Sequence, residues 1–137
     1  MRDFIMKKYE NFISNLRVLE KAEYEDLKNE FIIGGIIDKF FVQFELGWKL
    51  LKELLEYEGR NDFISGSPRS VIKAAFSVWA FIDEETWLDM LKDRNNVTHI
   101  YDADEARRLV NHILVRYIPA FQKLETNLNT SYGELLL

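Results

Sequence analysis

Cysteine is absent from the chain and proline occurs only twice. Without thiols, neither a disulfide framework nor cysteine-bound metal chemistry is available. Glycine is sparse as well, six in 137 residues, which excludes a linker-rich or low-complexity chain. Long apolar runs are missing. The longest, Phe31 to Ile37, is broken by Gly34 and Gly35 and falls far short of the roughly 20 residues that span a bilayer. The start, Met1-Arg2-Asp3-Phe4-Ile5, offers neither an apolar h-region nor a small-residue cleavage site, so the sequence predicts a cytoplasmic protein with no membrane attachment. Positive charge is in deficit: 18 Lys and Arg stand against 23 Asp and Glu, a net charge of −5. That balance excludes a general nucleic-acid coat protein, and any RNA or nucleotide chemistry has to depend on a local site. The length and the 47% apolar composition predict one domain over residues 1–137.

What the chain has in quantity is helical periodicity. Ile5, Tyr9, Phe12, Ile13, Leu16 and Leu19 recur at steps of three and four and predict an amphipathic helix from Phe4 to about Ala22. After a polar stretch, Asn29 is placed to cap a central helix carrying Ile33, Ile36, Ile37, Phe40, Phe41, Phe44, Trp48, Leu51, Leu54 and Leu55, with Gly59 as its stop. Glu45 and Lys49 on its polar side have the favourable order for a helical ion pair. Arg60 to Gly66 reads as a loop. Ser67-Pro68 then supplies an N-cap and a first-turn proline for a third helix, expected to run to about Phe81 with Val71, Ile72, Ala75, Phe76 and Trp79 inward. Asp83 can cap a fourth helix with Trp87, Leu88, Met90 and Leu91 facing inward.

Asp102 and Glu105 have the residue types of a capping box. The stripe Ala106, Val110, Ile113, Tyr117, Phe121, Leu124 and Leu128 then predicts a long fifth helix. Pro119 lies inside it and predicts a kink one turn upstream. No segment alternates with period two over a strand length. The expected fold is all-α, an antiparallel up-and-down bundle of four long helices plus a short one, with Gly133 to Leu137 frayed or packed against a partner.

Two histidines make the search for chemistry short. There is no Gly-rich phosphate loop, no His-Glu-x-x-His pair, no Gly-x-Ser-x-Gly elbow and no plausible metal cluster, so neither a metal nor a cofactor is expected. The candidate segment is Asp93-Arg94-Asn95-Asn96-Val97-Thr98-His99-Ile100-Tyr101, where Asn, Val and Thr weaken helix propensity at the junction of the fourth and fifth helices. Arg107 and His112 repeat the Arg-x4-His spacing as a control within the chain. Five residues of regular helix turn through about 140°, so that pair points to different faces and reads as structural. The helix end between Arg94 and His99 lets those two approach one opening, within a chain or across a two-fold axis. Asp93, Asn95 and Asn96 stand beside them as supporting residues. Asn95 and Asn96 can orient either group or simply cap a helix. In the ordinary readings Tyr101 is a half-buried junction aromatic, Glu45 a solvated partner of Lys49, and Trp48, Trp79 and Trp87 core residues. Arg69, Lys73 and Lys92 can line a phosphate path, although such groups are usually a solvated face.

Phe44-Glu45-Leu46-Gly47-Trp48-Lys49, Tyr57-Glu58-Gly59, Ser67-Pro68-Arg69, Trp87-Leu88-Asp89-Met90-Leu91, Lys92-Asp93-Arg94-Asn95 and Thr98-His99-Ile100-Tyr101 resemble, in the same order, the nucleotidyltransferase substrate-binding-like group of HEPN proteins. The resemblance runs from Tyr9-Glu10-Asn11-Phe12 to the Tyr117 helix and includes a complete Arg-x4-His-x-Tyr signature. It departs at Asn96-Val97, where many relatives carry other small or polar residues. It implies a helical homodimer encoded beside a minimal nucleotidyltransferase, several such proteins being ribonuclease toxins restrained by that partner, which can adenylylate the motif tyrosine. Carried over, Arg94 and His99 are the catalytic pair, Tyr101 is the modification site and RNA is the substrate. The residue chemistry is compatible with this. An imidazole with an ordinary pKa near 6.5 can serve as base for a ribose 2′-hydroxyl or acid for a leaving 5′-oxygen, and a guanidinium can clamp the phosphate. A non-catalytic accessory subunit that presents substrate to a nucleotidyltransferase is the second reading, and a scaffolding homodimer the third.

Overall fold

The computed structural model describes residues 2–61, 66–96 and 98–136, with the backbone alone for His99 and Ile100. Helix α1 spans Arg2–Leu19 and tightens into a 3-10 turn over Glu20–Tyr24, so the α geometry ends three residues before the expected Ala22. Helix α2, Glu30–Tyr57, forms the centre of the core. Asn29 caps it, its side chain accepting from the N–H groups of Phe31 and Ile32. It ends in a Schellman motif: Gly59, at φ +76°, donates to Glu56 O at 3.0 Å and Arg60 donates to Leu55 O at 2.9 Å. Of the expected loop Arg60 to Gly66, residues 62–65 lie outside the described residues.

Ser67 and Pro68 start α3 (Pro68–Val78) as their types require, the Ser67 hydroxyl accepting from Ser70 N–H at 3.2 Å. The helix stops short of Phe81. Trp79 turns extended at φ −117°, ψ 118°, and keeps its indole in the core. Phe76, expected inward, is half exposed because Ala74 and Ala75 take the packed face instead. In α4 (Glu84–Asn95) the Asp83 cap works differently from expectation: its carboxylate accepts the Thr86 hydroxyl at 2.6 Å and makes no cap bond to backbone. The single-turn α5 is Thr98–Tyr101.

The long fifth helix is a rod in three stretches, α6 (Ala103–His112), a π turn (Ile113–Tyr117) and α7 (Ile118–Leu136), and its end is kinked at Tyr132, whose φ −129°, ψ 24° are not helical. Every residue of its predicted stripe is buried. One turn before Pro119, where the sequence predicts a kink, the structure has this π turn with its backbone still helical at both ends. Pro119 has no N–H to return to Val115, and the Ile118 N–H reaches five residues back to Ile113 O. Half of the predicted capping box forms. Asp102 accepts from the N–H groups of Asp104 and Glu105, but its own N–H is already bonded to Thr98 O at 2.9 Å, which frees the Glu105 carboxylate for Arg108 at 3.0 Å.

Arg2 to Glu134, Tyr9 to Asn129 and Arg17 to Glu125 pair α1 with α7 in reversed order, so the two helices are antiparallel. The core between them holds Phe12, Phe40, Phe44, Trp87, Tyr117 and Phe121, with Phe40 stacked on Tyr117 at 5.1 Å. Gln43 is fully buried yet satisfied, donating to Phe12 O at 3.0 Å and accepting from Asn15 at 2.7 Å. Trp48, Trp79 and Trp87 are buried core residues, as their ordinary reading holds. The tail is packed on its own chain rather than frayed. Leu136 is buried, and the Tyr132 hydroxyl donates to Glu58 at 2.9 Å and accepts from the Trp79 indole at 3.1 Å. Leu137 lies outside the described residues. Among the described residues there is no strand, and no helix is long and apolar enough to cross a membrane.

Candidate functional site

The chain breaks sharply at the end of α4, where the sequence places its weakest helix formers. Asn96 is the C-cap: its N–H bonds to Lys92 O at 3.0 Å and Asp93 O at 3.2 Å, and its side-chain oxygen accepts from Thr98 N–H at 3.0 Å. This asparagine thus ends α4 and bonds across the break to the first residue of α5. Val97 lies outside the described residues, and of His99 only the backbone, in α5, is described.

Arg94, in the last turn of α4, crosses to α2. Its Nη2 lies 2.5 Å from Glu45 Oε1, off the line of an aligned hydrogen bond, and its Nη1 donates to Asn95 Oδ1 at 3.2 Å. Glu45 is therefore more than a solvated partner of Lys49. Its second oxygen accepts the Trp48 indole N–H at 3.1 Å and sits 3.7 Å from the Lys49 ammonium. One carboxylate thus fixes the guanidinium against α2. Periodicity cannot reveal this, because it assigns Glu45 to a polar face without saying what faces it.

Asp93 points the other way, into the contact between α4 and the fifth-helix rod, and is only 8% exposed. The Tyr117 hydroxyl donates a short hydrogen bond to Asp93 Oδ2, and Arg108 Nη2 donates to Oδ1 at 3.2 Å. Burial first, and then the bond to this carboxylate, push the Tyr117 phenol far above its ordinary value, so it stays a donor. For Arg108 burial works against the charge, but the bonds to Glu105 and Asp93 outweigh it and hold the guanidinium more firmly protonated. Sequence reasoning placed Asp93 beside the site but missed both partners, since Tyr117 reads only as a core position.

Tyr101 is 86% exposed, not half-buried. It borders a groove of about 450 Å³ floored by Ile33, Ile37 and Ala106, with Arg107 on its rim. Arg107 pairs with Asp104 at 3.6 Å, whereas His112 lines a different cleft, so the control pair does face two sides. Of the charge group Arg69, Lys73 and Lys92, Lys73 pairs with Glu84 at 3.8 Å and Lys92 lines the His112 cleft. Chemically, the end of α4 offers a permanently charged guanidinium held on one edge, with its remaining N–H groups available to an anion. No group of His, Asp and Glu able to hold a metal ion occurs among the described residues.

The family model described as nucleotidyltransferase substrate binding protein like matches residues 6–130. Among curated proteins, none matches the chain.

Proposed function

This chain belongs to the nucleotidyltransferase substrate binding protein like family of the HEPN superfamily, and on that premise we propose that it is the ribonuclease toxin of a two-gene module whose other member is a minimal nucleotidyltransferase. The observation that carries the reading is Arg94, anchored by Glu45 at the broken end of α4 with His99 five residues on. In the proposed reaction the ribose 2′-oxygen attacks phosphorus and the 5′-oxygen leaves, giving a 2′,3′-cyclic phosphate and a 5′-hydroxyl. His99 takes the 2′-hydroxyl proton, and the partner subunit's His99 returns one to the 5′-oxygen. Arg94 holds the phosphate and offsets the charge that grows on it in the transition state. The proposal needs a dimer, because two chains place two Arg94 and His99 pairs in one cleft. The exposed hydroxyl of Tyr101 is the proposed point of adenylylation by the nucleotidyltransferase.

The test uses the purified protein, freed of its partner and unmodified at Tyr101, incubated with RNA in the presence of EDTA. Cleavage is expected, and Arg94→Ala and His99→Ala abolish it with circular dichroism unchanged, while Arg107→Ala still cuts. Tyr101→Phe remains active yet resists the nucleotidyltransferase. Sedimentation showing a monomer at assay concentration overturns the shared-cleft mechanism. Absence of cleavage at every pH between about 6 and 8, where a histidine titrates, replaces the nuclease with a non-catalytic accessory subunit. The balance of the Arg94 charge by Glu45 is the feature that favours that second reading.

A further inference from the structure

Arg108, His112 and Arg116 stand at four-residue steps along α6 and the π turn, and α4 opposes them with Asp89 and Asp93, also four apart. Three basic positions meet two acidic ones. Asp93 takes Arg108 at 3.2 Å and Asp89 takes Arg116 at 2.9 Å, which leaves His112 between them without a carboxylate of its own. Its ring packs edge-on against Tyr117 with centroids 6.1 Å apart, and its Nδ1 is buried with no hydrogen-bond partner. Nε2 is therefore the ring nitrogen left for the open side, where an imidazole N–H can donate.

The open side is a cleft of about 250 Å³, to which α4 also contributes Lys92 and Asn96. Lys92 makes no ion pair among the described residues. Both oxygens of Asp93 are already occupied, by Tyr117 and Arg108, and Asp89 Oδ2 is held by Arg116. What the walls offer a ligand is therefore mainly donors: the Lys92 ammonium, the unused N–H groups of Arg108 and Arg116, and His112 Nε2. Three permanent cations against two carboxylates line this cleft, in a chain whose net charge is −5. Glu105 also bonds Arg108, but it does not line the cleft.

We infer that this cleft is a binding subsite for a single phosphoryl group, seated on His112 and gripped from α4 by Lys92 and from the opposite wall by Arg108 and Arg116. Donors converge from two helices, and a tetrahedral group with several acceptor oxygens can meet both walls at once, where a planar carboxylate reaches one. The phosphoryl group belongs either to an RNA backbone or to the terminus of a nucleotide. The subsite does not depend on RNA cleavage, because Arg94 faces α2 while these groups face the fifth-helix rod.

The test is NMR of the imidazole rings of the intact protein titrated with inorganic phosphate, against sodium chloride at equal ionic strength. With two histidines in the chain, the ring signals that survive in His99→Ala belong to His112. A saturable shift at His112 is expected. Lys92→Met weakens it about fivefold, the scale of one partly solvated ion pair, and Arg116→Gln does so with the fold checked by circular dichroism. A nucleoside 5′-monophosphate and a dinucleotide then separate the sources: tighter binding of the first assigns a nucleotide terminus, and of the second an RNA backbone. No saturable shift at His112 with any of the three probes overturns the subsite, as does unchanged binding in both variants. A chain that cuts no RNA and still binds phosphate here removes the nuclease reading and keeps this one.

Discussion

Asp93 and Tyr117 show how one buried pair fixes the geometry around a helix end. The carboxylate has almost no contact with water, so its charge is tolerated only because a phenol and a guanidinium donate to it. Tyr117→Phe keeps the ring on Phe40 and removes one donor, leaving a buried carboxylate oxygen unsatisfied. We expect a loss of about 1–3 kcal/mol in urea denaturation, with no change in helix content. A neutral result would mean that water replaces the hydroxyl.

At the scale of elements, close approach of α2 to α1 and α4 depends on a residue with no side chain. A Cβ built on Gly47 would stand 3.0 Å from Trp87 Cη2 and 3.3 Å from Phe12 Cε2, both in fully buried rings that have little room to retreat. Gly47→Ala should therefore destabilise by about 1–3 kcal/mol through overpacking, despite the better helix propensity of alanine. A rise in melting temperature would show that the helices can separate cheaply. The start of α2 depends on Asn29, whose side chain satisfies two N–H groups of the first turn. Asn29→Ala is expected to cost about 1 kcal/mol, and Asn29→Ser to recover most of it in the same melt.

Over the whole molecule, three phenols tie helices together while remaining neutral. Tyr9 is raised by burial and then by Glu125, Tyr117 by burial and then by Asp93, and Tyr132 is pushed up to about 12 by burial and then by Glu58. All three start from an ordinary value of 10.0. Above that pH the unfolded chain releases protons that the folded chain retains, so their contribution is complete below pH 10 and is lost as pH rises toward 12. Thermal midpoints should fall across that window, and Tyr132→Phe should flatten part of the fall. A flat profile from pH 9 to about 12 would contradict the assignment.

The sequence alone determined most of the helices and most of their inward faces, because periods of three and four, caps such as Asn29 and Ser67, and the Gly59 stop are local properties of the chain. It expected a kink before Pro119, where the missing N–H is instead accommodated by a π turn. It misjudged Phe76 and the end of α3, since which side of a short helix is covered depends on its neighbours. It picked out Arg94, Asp93 and Tyr101 as residue types at a weak helix end. Only the tertiary structure decided that Arg94 rests on Glu45, that Asp93 is shared by Tyr117 and Arg108, that Tyr101 faces solvent, and that His112 is left unpaired over a cleft. Those outcomes depend on which side chains from distant parts of the chain come within hydrogen-bond reach. Spacing along one helix says which face a residue occupies, and packing alone supplies the partner on the other side.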